Sequence, residues 1–210
     1  MKKKFKKKIA DLFIAFNQIL VYVIFSRLLR YYFRANKKVA ASIGELKKGS
    51  LIVANHQSIL DPFIILSHLP LKSFLRTIPV RFPTKHSYYK YLRLLAFVGA
   101  FDIGDQNRER MLGLFRTRQY LVDGKSIMLF PEGKICTNAE AGIDEFQKGI
   151  TFLTDVAKNV LFVRMEGFHR SDGLKIMKKR RSMAFSEICQ MKGENKNPDV
   201  LKEYMEQLSV

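Results

Sequence analysis

Two short stretches of the 210-residue chain carry side chains that can do chemistry together. In Asn55-His56-Gln57-Ser58-Ile59-Leu60-Asp61-Pro62 an imidazole stands five residues before a carboxylate. Side chains that meet on a helix are three or four apart, so His56 and Asp61 meet only if the chain turns between them. Two arrangements supply that turn. Asp61 caps a helix beginning at Pro62, the position proline favours, or Ser58 is the cap and Asp61 closes a capping box. Both bring the ring beside the carboxylate. A carboxylate on one ring nitrogen sets the tautomer and leaves the other nitrogen as a general base. Alone, the pair reads better as a helix cap beside a loop histidine.

The second stretch is Phe130-Pro131-Glu132-Gly133-Lys134, an acid and a cation around a glycine. Its plain reading is a structural ion pair of Glu132 with Lys134 or another cation. Each stretch follows an apolar run, Leu51-Ile52-Val53-Ala54 and Ser126-Ile127-Met128-Leu129, and such runs read as buried strands. Open α/β sheets place their sites at the carboxyl ends of strands. Two loops that both leave such ends share one edge, and together they offer a base, its orienter, an anchoring acid and a cation.

The elements that would hold these loops alternate. Further strands are expected over Val39–Ile43, Phe74–Val80, Phe97–Ile103, Asn159–Val163 and Ser182–Ile188. Helices are expected over Pro62–Leu69, Lys85–Leu95, Asn107–Val122, Lys148–Val156 and Pro198–Leu208. That alternation predicts a single α/β domain, a largely parallel mixed sheet flanked by helices. The domain is placed at residues 39–210, after a basic segment and membrane-associating helix at 1–38.

Charge separates the two halves. Residues 1–101 hold nineteen Lys/Arg against three acidic residues, whereas 102–210 hold eighteen against sixteen, so nearly all of the +18 excess lies early in the chain. Such polarity fits anionic lipid, nucleic acid or an acidic carrier protein. The lysines of residues 2–8 precede the apolar stretch Ile9–Phe25, and five further cations follow it by Lys38. Basic flanks on both sides disfavour a span, and no small-residue cleavage site follows the apolar run. A helix lying on or dipping into the cytoplasmic leaflet fits best. Lysines that flank an apolar helix, rather than stripe a domain beside stacking aromatics, point away from nucleic acid. Cys136 and Cys189 show neither a disulfide framework nor metal-ligand spacing.

With both motifs in view, the sequence resembles the lysophospholipid and glycerolipid acyltransferases over about residues 40 to 170. His56 to Asp61 matches that family's His-four-residues-Asp motif, flanked by the usual Asn55 and Pro62. Phe130-Pro131-Glu132-Gly133 matches its Phe-Pro-Glu-Gly motif, and Glu145-Phe146-Gln147-Lys148-Gly149 is similar to the element that follows. The resemblance implies an acyltransferase domain and O-acyl transfer to the hydroxyl of a lysophospholipid such as 1-acyl-glycerol-3-phosphate. The donor would be acyl-CoA or acylated carrier protein, as co-substrate, with no cofactor and no metal. It implies His56 as general base oriented by Asp61, with Glu132, Gly133, Lys134, Lys148 and Arg108 binding substrate. It makes Cys136 an unsuitable nucleophile, since Ser or Thr usually stands there. The tetrahedral oxyanion needs a donor that the motifs do not name.

Three departures bear on the acceptor. The arginine usual two residues after the motif's glycine is Ile135, although Lys134 fits a variant with a cation directly after the glycine. No arginine falls in register near Gly99–Gly104, and Arg108 or Arg110 is the nearest substitute. Val163-Arg164-Met165 replaces a proline-containing strand. Two other functions therefore stand beside the first: acyl transfer to a lysolipid without phosphate, such as a lyso-aminolipid, and a non-catalytic basic membrane-binding protein on the same fold.

Overall fold

The computed structural model describes residues 2–32, 35–39, 46–91, 93–136, 143–167, 181–189 and 197–208. Helix α1 (Lys2–Tyr32) is followed by β1 (Ala35–Val39), β2 (Ser50–Ala54), α2 (Asp61–His68), α3 (Leu71–Thr77) and β3 (Val80–Thr84). Then come α4 (His86–Tyr91), a 3-10 helix (Arg93–Val98), β4 (Ala100–Asp102), α5 (Asn107–Val122) and β5 (Ser126–Leu129). Helix α6 (Gly149–Thr154), β6 (Asn159–Glu166), β7 (Arg181–Cys189) and α7 (Pro198–Gln207) complete the described elements.

The strands form one seven-stranded sheet in the order β1-β7-β6-β2-β5-β3-β4. Every neighbouring pair is parallel except β6 and β7. This is the expected α/β architecture with a largely parallel, mixed sheet. β2 lies between β5 and β6, with Leu51 opposite both Ile127 and Val160. All five of its residues are buried. Alternate side chains explain the unbroken apolar run, since both faces of a central parallel strand are covered. Ile52 and Ala54 pack with Ile64, Ile65 and Leu69 of the α2 layer, while Leu51 and Val53 pack with Leu121, Leu153 and Leu201 of the opposite layer.

Several boundaries differ from the sequence reading. Phe74–Val80, expected as a strand, is α3 up to Thr77, and β3 begins only at Val80. Ser73, Phe74 and Thr77 are buried while Leu71 and Leu75 are exposed, a helical rather than alternating pattern. Pro70 precedes the helix and the Ile78-Pro79 peptide separates it from the strand. The helix expected over Lys85–Leu95 divides into α4 and the 3-10 helix, and that 3-10 helix takes the first part of the strand expected at Phe97–Ile103. β4 is left with three residues after Gly99, whose φ of +110° and approach to Val80 O leave no room for a side chain. The first described strand is Ala35–Val39, which meets the strand expected over Val39–Ile43 at Val39, and residues 40–43 of that expectation fall outside the described residues. α5 has the expected bounds.

Helix α1 is inverted relative to a soluble amphipathic helix. Its buried side chains include Gln18 and Ser26, while Phe5, Leu12, Phe16, Val23 and Leu28 are exposed. The inward polar groups have specific partners. Gln18 Nε2 donates to Val80 O (2.6 Å) and Val98 O (2.7 Å), and Gln18 Oε1 accepts from Val80 N (3.0 Å). Asp11 pairs with Arg81 and Lys125, Asn17 donates to Phe97 O, and Tyr22 donates to Leu69 O. The segment Lys7–Leu28 is long and apolar enough to cross a membrane.

Candidate active site

β2, β5, β3 and β4 run parallel and side by side, so the loops after them gather at one sheet edge. A cleft of about 900 Å³ opens there, toward the upper end of the ~300–1,000 Å³ usual for small-molecule sites. Phe63, Phe82, Met111, Leu114, Leu129 and Leu153 give it apolar walls, and His56, Glu132, Lys134, Lys85, Arg110 and Glu145 supply charge or polarity. The walls are apolar enough for an acyl chain, and most of the ionisable groups sit on the loops, with Arg110 on α5.

His56 leaves the end of β2, and its Nδ1 lies 2.9 Å from Asp61 Oδ2. The same carboxylate oxygen accepts Gln57 N at 2.7 Å and Ser58 N at 2.8 Å. An oxygen that already accepts two N–H groups leaves Nδ1 the donor's role, so Nε2 is the free base. Asp61 does not cap a helix beginning at Pro62, and of the expected capping box the closing bond forms, from Ser58 N–H to the Asp61 carboxylate, while Ser58 Oγ accepts Leu60 N–H. Asp61 is the first residue of α2, the helix has no side-chain cap, and the carboxylate reaches back into the loop it follows. The turn is made by Asp61 N bonding to Ser58 O, and by Leu60 N bonding to Ser58 Oγ. Asp61 is wholly buried, whereas the His56 side chain keeps 19% of its surface, enough to meet a substrate. Phe130 stacks on the imidazole with ring centroids 4.1 Å apart. Three features therefore fix the ring: a carboxylate, a loop clamped by that carboxylate, and an aromatic face.

Glu132 follows β5 and is buried. Its Oε1 accepts the His56 main-chain N–H at 3.2 Å, which ties the two loops together. Gly133 turns the chain with φ of +67°, and its N–H returns to Phe130 O. Burial is the main cause that pushes the Glu132 carboxyl up to about 7; the His56 N–H opposes it, and the Asp144 and Asp61 charges add to it. The expected ion pair between Glu132 and Lys134 is not the one formed: Lys134 pairs with Asp144 at 3.3 Å.

Of the residues picked from the sequence, His56, Glu132, Gly133 and Lys134 line the cleft, and Asp61 touches it through His56. Arg108 and Lys148 lie outside the lining, both exposed. Arg110 takes the place on the wall, because it shares a face of α5 with Met111, Leu114 and Thr117. Lys85 and Tyr88 also line the cleft, and the basic, aromatic Lys85–Leu95 stretch was their only signal. His86, next to Lys85, is exposed and bonds Asp102 at 2.6 Å, and that carboxylate raises the imidazole's pKa. Among the described residues no group of His, Cys, Asp and Glu is arranged to hold a metal ion.

A family model described as Acyltransferase matches residues 30–163. Among solved structures, the chain is similar to the 1-acyl-sn-glycerophosphate (LPA) acyltransferase PlsC from Thermotoga maritima. The TM-score is 0.61 and the identity 16%, over 90% of this chain and 75% of that one. No curated protein matches the chain in sequence.

Proposed function

The chain belongs to the acyltransferase family, within the glycerolipid acyltransferase superfamily, and from that premise we propose that it acylates the free hydroxyl of a lysophospholipid. The acceptor is 1-acyl-glycerol-3-phosphate and the donor an acyl thioester of coenzyme A or of an acyl carrier protein. The observation that carries this reading is the clamped His56–Asp61 pair opening onto an apolar cleft. His56 Nε2 takes the hydroxyl proton as the oxygen attacks the thioester carbonyl. Because the alcohol is far less acidic than imidazolium, proton transfer and C–O bond formation proceed together. Holding donor and acceptor side by side in one cleft supplies the proximity term.

His56→Ala should lower transfer by about 10²–10⁴ with the fold retained, which is the range for a lost general base. Thiol release from acyl-CoA with 1-acyl-glycerol-3-phosphate, beside circular dichroism, measures both. Undiminished transfer would remove the base from the mechanism.

A second acceptor class has its own support. Ile135 occupies the place where the family usually carries arginine, Asp144 already pairs with Lys134, and Glu145 adds an acid to the wall. That balance suits a zwitterionic or amine-bearing headgroup. A panel of lysolipids with and without phosphate separates the two.

The protein sits on the cytoplasmic leaflet as a monotopic enzyme, with the exposed apolar side of α1 in lipid. Supporting this, the inward side of the same helix bonds the folded domain from Asp11 to Tyr22, and a span would break those bonds.

A further inference from the structure

Acyl transfer from a thioester passes through a tetrahedral intermediate whose oxygen bears a negative charge. Enzymes meet that charge with hydrogen-bond donors placed in advance, most often main-chain N–H groups. Around His56 six main-chain donors are already engaged. His56 N–H goes to Glu132 Oε1, and Gln57 and Ser58 N–H go to Asp61 Oδ2. Gly133 N–H goes to Phe130 O, Cys136 N–H to His56 O, and Gln147 N–H to Pro131 O. None of these six is available to an oxyanion.

Among the described residues two buried carboxyl oxygens at the site have no partner, Asp61 Oδ1 and Glu132 Oε2. Among the described residues five buried side-chain atoms lack a hydrogen-bond partner, and of these Glu132 Oε2 alone belongs to a residue on the cleft wall. The other oxygen of that carboxyl is 3.2 Å from the main chain of the general base. An ionised Oε2 there would repel a developing oxyanion. A protonated one would donate to it.

We propose that Glu132 acts as a neutral carboxylic acid whose Oε2–H donates a hydrogen bond to the thioester oxygen as it becomes negative. This rests on the acyltransferase reading above and supplies the donor that the sequence motifs leave unnamed. The step balances without any further reactant. An electron pair of the acceptor hydroxyl forms the C–O bond, its proton moves to His56 Nε2, and the carbonyl π pair moves onto the oxygen held by Glu132. On collapse that pair re-forms the C=O bond, the C–S bond breaks, and the thiolate takes the proton from the imidazolium. Glu132 keeps its proton throughout.

The surroundings favour the neutral form. Burial, Asp144 and Asp61 disfavour the charge, while His56 N–H and Lys134 favour it. An apolar acyl chain in the cleft removes more water and moves the balance further toward the acid.

The test uses the full chain in detergent micelles, with acyl-CoA and 1-acyl-glycerol-3-phosphate as probes. For the wild type, kcat should fall as pH rises beyond about 7, because the ionised form cannot donate. Glu132→Gln keeps an N–H donor and an acceptor in the same places, so it should lose that alkaline limb and stay within about tenfold of the wild-type kcat at neutral pH. Glu132→Ala should lose about 10²–10³ in kcat with little change in the donor's KM. A carboxylate that only anchored the His56 main chain would give the wild type no such limb. ¹³C NMR of carboxyl-labelled glutamate, compared with Glu132→Gln, reads the ionisation directly and needs no turnover. A Glu132 that ionises below pH 5, or an alkaline limb unchanged in Glu132→Gln, would overturn the proposal. Wild-type protein that transfers no acyl group, yet shows a Glu132 carboxyl titrating near neutrality, would count against the substrates and not against the neutral acid.

Discussion

Glu132 has a thermodynamic signature apart from chemistry. Its carboxyl is pushed up to about 7 from an ordinary 4.5, so the folded protein holds that proton more tightly than the unfolded chain does. Stability linked to this group is therefore full at low pH, declines as pH rises through about 4.5 to 7, and is flat above. One pKa unit corresponds to about 1.4 kcal/mol, and relaxation of a charged site reduces the whole, so about 1–3 kcal/mol is at stake. Glu132→Gln is neutral at every pH. It should be more stable than the wild type by that amount at pH 8 and about equal to it at pH 4.5, as read by urea denaturation in detergent. A difference independent of pH would show that packing, not charge, sets the effect. Asp61 illustrates another residue-scale point. The sequence places it correctly beside His56 and offers a capping box that closes on Ser58, but cannot say that the same carboxylate oxygen also takes Gln57 N–H, because a cap and a clamp draw on the same residue types.

At the scale of elements, legibility followed how local the cause of each structure is. β2 and α5 were plain because burial on both faces gives a continuous apolar run, and because helix start and stop signals frame Asn107–Val122. α3 was hidden because apolar Leu71 and Leu75 face outward and only seven residues lie before the Ile78-Pro79 bond. The phase of α5 decided Arg110 over Arg108, and a two-residue offset moves a side chain to another face. The polar seam of α1 was unreadable for a different reason. Its partners are contributed from 47 to 114 residues further along. Gln18 is the centre of that seam. Gln18→Leu would leave Val80 N–H, Val80 O and Val98 O without this partner, a loss of about 2–4 kcal/mol on the usual cost of unsatisfied buried groups. Phe16→Gln, on the exposed side, should stay within about 0.5 kcal/mol. Thermal unfolding of the two variants side by side checks the contrast, and equal shifts would mean the seam contributes nothing.

At the scale of the whole molecule, the apolar helix α1 packs against elements that border the candidate cleft. Tyr22 of α1 stacks on Phe74, and Phe13 meets Phe97 of the 3-10 helix, whose Leu95 lines the cleft. The apolar surface thus runs from α1 to the exposed Leu94 and Phe97 beside the site. With a formal charge of +18, adsorption should favour anionic leaflets and weaken as salt screens it. The full chain should co-sediment with vesicles containing phosphatidylglycerol. Phe13→Glu combined with Leu20→Glu should release most of it while acyl transfer in detergent micelles persists. Vesicle binding unchanged by those substitutions would assign the lipid contact elsewhere.

The inward-facing seam also imposes an order of events during synthesis. At ~5–20 residues per second, Asp11 is made about 6 to 23 s before Lys125, the partner 114 residues later. In that interval the apolar side of α1 exists while the sheet that will receive its polar side does not. The bond between Asp11 and Lys125 therefore closes only after most of the sheet has been made, and the docking of α1 is completed late.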